Sequence, residues 1–201
     1  MQNKIIPLLI IWITSFWIIA AISPLNRHDW LMENILFLVF AAVLAFSYKK
    51  FRLSNISYIL ITAFATLHLT SAHYTYSEVP FGFYLSEVFH FSRNHFDRIV
   101  HFSFGLLLVY PVRELLIRFA NIRGFFSYYL PIDVVLACSG LFEIIEWLFV
   151  MMVNPELGDA YLGTQGDIWD AQKDMVLATI GALIATILIL ISSFIIPKGK
   201  D

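Results

Sequence analysis

Six apolar runs of bilayer-spanning length constrain this sequence more than any other feature. Each run approaches the roughly 20 residues that an α-helix needs to cross a hydrocarbon core of about 30 Å. Backbone polar groups in lipid must pair within the protein, so runs of this kind predict helices. The predicted crossings cover residues 5–22, 30–47, 54–73, 95–117, 129–153 and 168–195. The sequence therefore predicts an all-α fold, a polytopic membrane helical bundle with about six transmembrane helices.

Composition excludes several other classes of protein. The chain is 59% hydrophobic and 14% charged, which is too apolar for an ordinary soluble domain. A formal net charge of −2 gives no footprint for nucleic acid. The only cysteine, Cys138, excludes an intrachain disulfide and argues against a cysteine-based metal site. Without internal repeats, residues 1–201 are expected to form one integral membrane domain.

The distribution of Lys and Arg predicts the orientation. A cytoplasmic N-terminus places nine of these residues in inside segments and four outside, which favours both termini inside under the positive-inside rule. The expected location is a bacterial-type cell inner membrane, crossed several times. Ala21 and Ser23 would suit cleavage of a signal peptide, but the length of the first run and Pro24 favour a retained helix. The segment 80–91 is expected to form an interfacial helix or a re-entrant turn.

This topology gathers ionisable side chains in the outer half of four helices. A charged side chain within the bilayer costs roughly 2.5 to 3.5 kcal/mol on insertion scales. These groups are therefore expected to face one another or a water-filled cavity, and they mark the predicted site. They are His68 and His73, Asp97 and His101, Glu143 and Glu146, and Asp170 and Asp174.

Each pair has a functional and a structural interpretation. Asp97 and His101 are four residues apart on one helical face, so the carboxylate can orient the imidazole. The alternative is a local ion pair between Asp97 and Arg98 at the membrane surface. Glu143 and Glu146 are three residues apart and would raise each other's pKa unless a cation lies between them. A metal, a carried proton and a buried histidine partner all remain open for this pair.

The remaining candidates divide by depth and by spacing. His68 and His73 are five residues apart, which rotates them by about 140° on a helix, so they are not expected to bind one ion together. His68 is a site candidate, whereas His73 is expected to end its helix. Asp167 is expected to cap the sixth helix, which leaves Asp170 and Asp174 for the site.

Motif searches narrow the chemistry without defining it. A set of His, Asp and Glu residues is compatible with Zn, Mn, Fe or another divalent cation. The chain has no HExxH, paired ExxH, GxSxG or Walker motif. These absences argue against several known metal sites, against serine hydrolases of the elbow type and against ATP-driven transport.

Three segments carry a resemblance to known families: DRIVHF from Asp97, EIIEW from Glu143, and GDIWDAQKDM leading to Gly181. With the hydropathy profile, they resemble the YjdF-type inner-membrane proteins, a family of unknown function. A looser similarity is to VanZ-like membrane proteins, whose pattern combines Asp-basic-x-x-His, a later Glu, and an Asp seven residues before a Gly. Ala178 stands where that pattern usually has Asn. The resemblance implies the architecture and the site location, and supplies no substrate.

Three functions are compatible with the cluster. The favoured one is a membrane-embedded enzyme, with a divalent metal as the candidate cofactor, that acts on a lipid or lipid-linked envelope substrate from the outer side. The alternatives are a proton- or cation-coupled permease, which would need to form a homo-oligomer, and a bundle whose buried polar groups only hold helices together. Membrane lipids are the expected partners, and nucleic acid is not. The predicted catalytic residues are His101, Asp97, Glu143 and Glu146, the substrate-binding residues Asp170 and Arg98, and the metal ligands His68, His101, Glu146 and Asp174.

Overall fold

A computed structural model describes residues 4–153 and 164–195 of the chain. The described residues form helices joined by short turns and contain no strand, which confirms the all-α prediction. There are seven helices in these ranges: α1 (Ile5–Ala20), α2 (Arg27–Ser47), α3 (Asn55–Tyr74), α4 (Pro80–Phe89), α5 (Phe96–Phe119), α6 (Phe126–Val153) and α7 (Asp170–Ile195).

Five of these helices, α2, α3, α5, α6 and α7, are long and apolar enough to cross a membrane. Helix α2 begins at Arg27, three residues before the predicted start, because the Asn26 side chain accepts hydrogen bonds from the backbone N–H groups of His28 and Asp29. Helix α7 begins at Asp170, after a turn in which Asp167 accepts a hydrogen bond from the Trp169 N–H at 3.2 Å. Local capping therefore sets the boundaries that hydropathy places only roughly.

The first helix is shorter than predicted. It ends at Ala20 rather than at residue 22, so it has 16 residues and is about 24 Å long. It nevertheless runs parallel to α3: Trp12 donates to Thr66 at 3.1 Å, and the His73 ring contacts the Ala20 carbonyl at 2.9 Å. The two contacts join residues 54 and 53 positions apart in the sequence, so they place α1 beside the outer part of α3. This placement supports a sixth crossing.

The bundle is built around α5, which packs against α3, α6 and α7. Its contact with α7 is the closest, because Gly105 lies against the Ala178 carbonyl and Gly181 lies against the Phe102 carbonyl. Small residues allow helix backbones to approach in this way inside membranes. Along α7, one face is small and buried while the other carries exposed Ile187 and Leu188, as expected where one side faces lipid.

The bundle has two ends. The site end carries the connections 21–26, 75–79, 90–95 and 164–169, and the opposite end carries the connections 48–54 and 120–125. The segment predicted as an interfacial helix or a re-entrant turn is the helix α4, and it lies at the site end. Its Gly82 packs directly on the Asn94 side chain.

At the opposite end, Glu114 of α5 holds the start of α3. Its carboxylate accepts from the Ser54 N–H at 2.8 Å, the Ser57 hydroxyl at 2.5 Å and Arg118 at 2.7 Å. We expect Glu114→Ala to lower the free energy of unfolding by about 1–3 kcal/mol, since it leaves these donors without an acceptor. Denaturation in mixed detergent micelles would measure the change. Glu87→Ala, at an exposed position of α4, is the control, and equal effects of the two variants would contradict this role.

Candidate functional site

Three helices bring a histidine and three carboxylates together near the site end. Asp97 and His101 lie in the first turns of α5, Glu143 lies on α6 and Asp174 lies on α7. The His101 Nε2 atom is 3.4 Å from an Asp97 oxygen and 3.5 Å from a Glu143 oxygen. Asp97, His101 and Asp174 each offer one ligand atom, and these atoms lie within 4.8 Å of one another. We call these four residues the central cluster.

The local sequence explains why the cluster forms. Asp97 and His101 share a face of α5 because they are one turn apart. On α7, the four- and three-residue steps between Asp174, Ala178 and Gly181 place all three on the face that packs against α5. The close approach at Gly105 and Gly181 therefore carries Asp174 towards Asp97. The small residues of the helix contact position the acidic residue.

Two carboxylate oxygens of the central cluster accept no hydrogen bond within the described part of the chain. They are Oε1 of Glu143 and Oδ1 of Asp174, and both are buried. Asp174 is only 2% exposed. A buried carboxylate without compensation is costly, so it needs a proton or a nearby cation. His101 faces three carboxylates, and Arg98 interacts electrostatically with Asp174 while it is bonded to Asp167 and Asp170. Acidic groups still outnumber cations here, so the cluster has room for additional positive charge.

Two more acidic residues surround the central cluster. Glu146, one turn after Glu143 on α6, lies close enough to interact electrostatically with Glu33, Glu143 and Asp97. Glu33 is 5% exposed on α2 and interacts with Asp97 and Glu143. Glu33 was not among the residues predicted for the site. An acidic residue inside the second apolar run was the signal that would have found it.

His68 lies outside the central cluster, although it was a predicted metal ligand. One ring nitrogen contacts the Tyr76 hydroxyl at 2.6 Å, and the other contacts the Glu33 carbonyl at 3.3 Å. Its ring stacks against the rings of Phe37 and Phe64. These contacts occupy both nitrogens, so the structure links His68 to α2 and to the chain after α3. His73 contacts the Ala20 carbonyl at the end of α3, as expected for a residue that ends the helix.

An ion-pair network covers the cluster at the site end. Arg93 makes two hydrogen bonds to the Asp170 carboxylate, at 2.7 and 3.2 Å. Arg98 bonds to Asp170 at 2.6 Å and to Asp167 at 2.7 Å, and Lys173 bonds to Asp167 at 2.6 Å. The two predicted substrate-binding residues, Arg98 and Asp170, therefore contact each other. The Asp97–Arg98 ion pair that the sequence left open is not among these contacts.

The same network sets the ionisation of groups in the connecting segments. Hydrogen bonds from Lys173 and Arg98 hold the pKa of Asp167 well below its usual range. A depressed carboxyl pKa stabilises the fold above the ordinary carboxyl range, and the stabilisation is lost as pH falls through the lowered value. Burial, with the Arg98 and Arg93 guanidinium groups, lowers the pKa of His95. The network is therefore expected to persist from neutral pH into the mildly acidic range.

The Arg93–Asp170 pair joins the segment before α5 to the start of α7. Removing one partner of a buried ion pair costs about 3–5 kcal/mol when the other charge is left alone. Arg98 still binds Asp170 once Arg93 is removed, so we expect Arg93→Met to lower the free energy of unfolding by about 1.5–3 kcal/mol, the range for hydrogen bonds to a charged group. Denaturation in mixed micelles would measure the loss. Arg123→Met, at an exposed position, is the control. An Arg93→Met variant as stable as this control would contradict the role of the pair.

The fold and the cluster together define the class of this chain: a multi-pass α-helical membrane protein with buried carboxylate and imidazole groups near one end. Residues 5–193 match the family described as "Predicted membrane protein (DUF2238)", and the chain belongs to this family. It is 35% identical over 176 residues to the inner membrane protein YjdF of Escherichia coli (strain K12), covering 87% of this chain and 84% of the relative. No solved structure matches the chain.

These findings confirm the predicted membership of the YjdF-type family and the location as a multi-pass inner-membrane protein. They carry no information on activity. The similarity to VanZ-like proteins and all assigned site roles stay predictions.

Proposed function

We propose that this protein is a membrane-embedded enzyme that uses a divalent metal ion and acts on a lipid or lipid-linked envelope substrate from the outer side. The observation that carries the proposal is the central cluster. It combines Asp97, His101, Glu143 and Asp174 with two buried carboxylate oxygens that lack hydrogen bonds within the described ranges. The positive-inside rule supports assigning the site end to the outer face.

The distances suit a small divalent cation. Two ligand atoms that are each about 2.1 Å from a tetrahedral Zn²⁺ are about 3.4 Å apart. The His101 Nε2 atom and an Asp97 oxygen are 3.4 Å apart, and the ligand atoms of Asp97, His101 and Asp174 all lie within 4.8 Å of one another. These residues would supply three ligands from two closely packed helices. Three protein ligands are the number found in catalytic rather than structural zinc sites.

Glu143 would then act as the general base. A divalent metal held by Asp97, His101 and Asp174 would supply Lewis-acid activation of water and of the ester. Glu143 would take the proton of the attacking water as its oxygen bonds to the carbonyl carbon or phosphorus of an ester in the lipid. The bond to the leaving oxygen breaks, and that oxygen takes the proton from Glu143. The elements of water are thereby divided between the two products. Glu146 and Glu33 would add negative charge around the metal rather than contact the reacting atoms.

The outer ion-pair network would have a positioning role. Arg98 and Arg93 hold Asp170 at the start of α7, and Asp174 follows one turn later. Arg98 also lines a shallow pocket with Lys173 on the surface of the bundle, where the two cations would attract an anionic headgroup. The predicted substrate-binding role of Arg98 is therefore kept in the proposal, while Asp170 serves to orient it.

A permease is the second candidate from the sequence, and no feature of residues 4–153 and 164–195 favours it. Transport would need a polar route from the central cluster to the opposite end. The space below the cluster is instead a cavity whose lining contains no Asp, Glu, Lys or Arg. A homo-oligomer, which a permease of this size would need, stays a separate proposal.

Comparison of membrane lipids tests the function. A strain that lacks the protein would be complemented with wild type, Asp97→Asn or Glu143→Gln, and its envelope lipids compared by mass spectrometry. The proposal expects a lipid species that accumulates without the protein and disappears only with wild type. Asp133→Asn, on α6 towards the opposite end, is the matched control. Full complementation by both site variants would contradict the proposal. Ion-dependent uptake by proteoliposomes, with unchanged lipids, would favour the permease.

A further inference from the structure

An apolar cavity of about 440 Å³ lies inside the bundle, next to the central cluster. Four helices, α2, α3, α5 and α6, line it. At its site end are His68, Tyr76, His101 and Phe142, and towards the opposite end are Leu44, Leu53 and Leu115. On α5 the lining extends from Val100 to Leu115, a distance of about 22 Å along the helix axis. The cavity is thus elongated parallel to the helices.

The chemistry of the lining selects an apolar occupant. No residue with a carboxylate, ammonium or guanidinium group contributes to it, and most of its residues are aliphatic or aromatic. The polar lining residues at the site end are His68, Tyr76 and His101, and His101 belongs to the central cluster. A long apolar group in the cavity would therefore have one end beside the proposed metal ligands and the remainder among hydrocarbon side chains.

The cavity meets the outside of the bundle between α2 and α6. Phe40 of α2 lines it and is also 44% exposed. Cys138 of α6 lines it and is likewise exposed. Both positions lie within membrane-spanning helices, so this window opens onto lipid rather than water. The phase that reaches the window consists of phospholipid acyl chains.

We propose that the cavity binds one acyl chain of a membrane phospholipid, which enters laterally between α2 and α6. The ester end of that chain lies near His101. The inference rests on the proposed function, because it identifies the substrate class of that enzyme as a glycerophospholipid. The cavity is also long enough: its roughly 22 Å exceeds the roughly 15 Å depth of one leaflet's hydrocarbon region. A chain in this position would hold its ester at the depth of the central cluster.

Photolabelling tests the inference directly. The purified full-length protein would be placed in vesicles of phosphatidylethanolamine and phosphatidylglycerol containing a phosphatidylglycerol with a diazirine midway along one acyl chain. After illumination, mass spectrometry would locate the adducts. We expect them to concentrate on cavity residues such as Phe37, Phe104 and Leu108. Adducts confined to outward-facing residues such as Phe46 and Ile187 would overturn the inference.

A variant at the window provides a second test. Cys138→Trp would place a large ring at the entrance, and we expect a several-fold loss of cavity adducts. Leu188→Trp, on the lipid-facing side of α7, is the matched control and should label as wild type. Equal labelling of the two variants inside the cavity would overturn the proposed entry route. Because the wild-type adduct map does not depend on either variant, the inference stays testable if Cys138→Trp fails to fold.

Failure of this inference can be distinguished from failure of the proposed function. Cavity adducts together with lipids unaffected by Asp97→Asn would support an acyl-chain site and reject the enzyme. Lipids that change with Asp97→Asn, without cavity adducts, would support the enzyme and overturn the acyl-chain site. The first combination depends on chain binding alone, and the second depends on chemistry at the central cluster.

Discussion

A single added methyl group at Gly105 or Gly181 is expected to separate α5 from α7 and to disrupt the bundle. A Cβ atom on Gly105 would overlap the Ala178 carbonyl, and one on Gly181 would overlap the Phe102 carbonyl. These are backbone atoms of rigid helices, so no side-chain rotation relieves the overlap. We expect a cost at or above the upper end of the usual overpacking range, about 3 kcal/mol. That cost exceeds the gain in helix propensity from Gly to Ala, about 1 kcal/mol.

The measurement is the yield of monodisperse protein and the free energy of unfolding in mixed micelles for Gly105→Ala and Gly181→Ala. Gly140→Ala is the matched control. Its added Cβ would meet only the flexible end of Met175, at 3.1 Å, so we expect a change near zero or a slight stabilisation. If the two interface variants are as stable as Gly140→Ala, the close approach of α5 and α7 is wrong.

Loss of function without loss of the fold is expected for His101→Ala and Asp174→Asn. Both residues contribute to the central cluster, and Asp174→Asn preserves shape while removing the charge. Loss of one group that acts in proton transfer or metal binding lowers the rate by about 10²-fold or more. Asp174→Asn removes one of several crowded negative charges, so it is expected to leave stability largely intact. His101→Ala removes the imidazole that faces three carboxylates, so it is expected to lower stability, and its activity is compared in the fraction that elutes as folded protein. Both variants should fail to restore the lipid profile of a strain that lacks the protein.

Glu78→Gln, at an exposed position of the connection between α3 and α4, is the control for these variants. Normal lipids with both site variants would contradict a catalytic role. If both site variants fail to accumulate and the residual protein keeps its activity, the result would instead support a bundle whose polar groups only hold helices together.

The sequence was sufficient for the architecture because hydropathy reports burial in lipid directly. Five of the six predicted crossings match helices long enough to span a membrane. The remaining one, the first in the chain, matches the shorter helix α1. The grouping of Asp97, His101, Glu143 and Asp174 at one depth also follows from hydropathy. Depth along a helix depends only on position in the run and on the direction of crossing.

Pairing between segments could not be predicted in this way. Arg93, in the connection before α5, bonds to Asp170, 77 residues later, and no spacing in the sequence indicates this pair. Glu33 lies beside Asp97 because α2 and α5 both pack against α3, and no spacing within α2 indicates this. His68 is at a suitable depth, but its rotation about α3 directs it towards Tyr76. Depth is encoded locally, whereas the rotation of each helix is set by packing against its neighbours.

Family membership indicates a location but no reaction. The alignment with the relative from Escherichia coli covers most of the chain, and the name of that relative states only that it is an inner membrane protein. The chemistry therefore has to be tested on the central cluster itself, and its metal content is the most direct property to examine.

Elemental analysis of the purified protein, extracted in mild detergent without chelators, shows whether the central cluster binds a metal ion. We expect close to one divalent transition metal ion per chain in wild type. We also expect loss of this metal in His101→Ala and Asp174→Asn variants that elute as folded protein, and its retention in Asp133→Asn. Folded, functional wild-type protein that contains no metal would contradict the proposed function, as would metal that persists in both cluster variants.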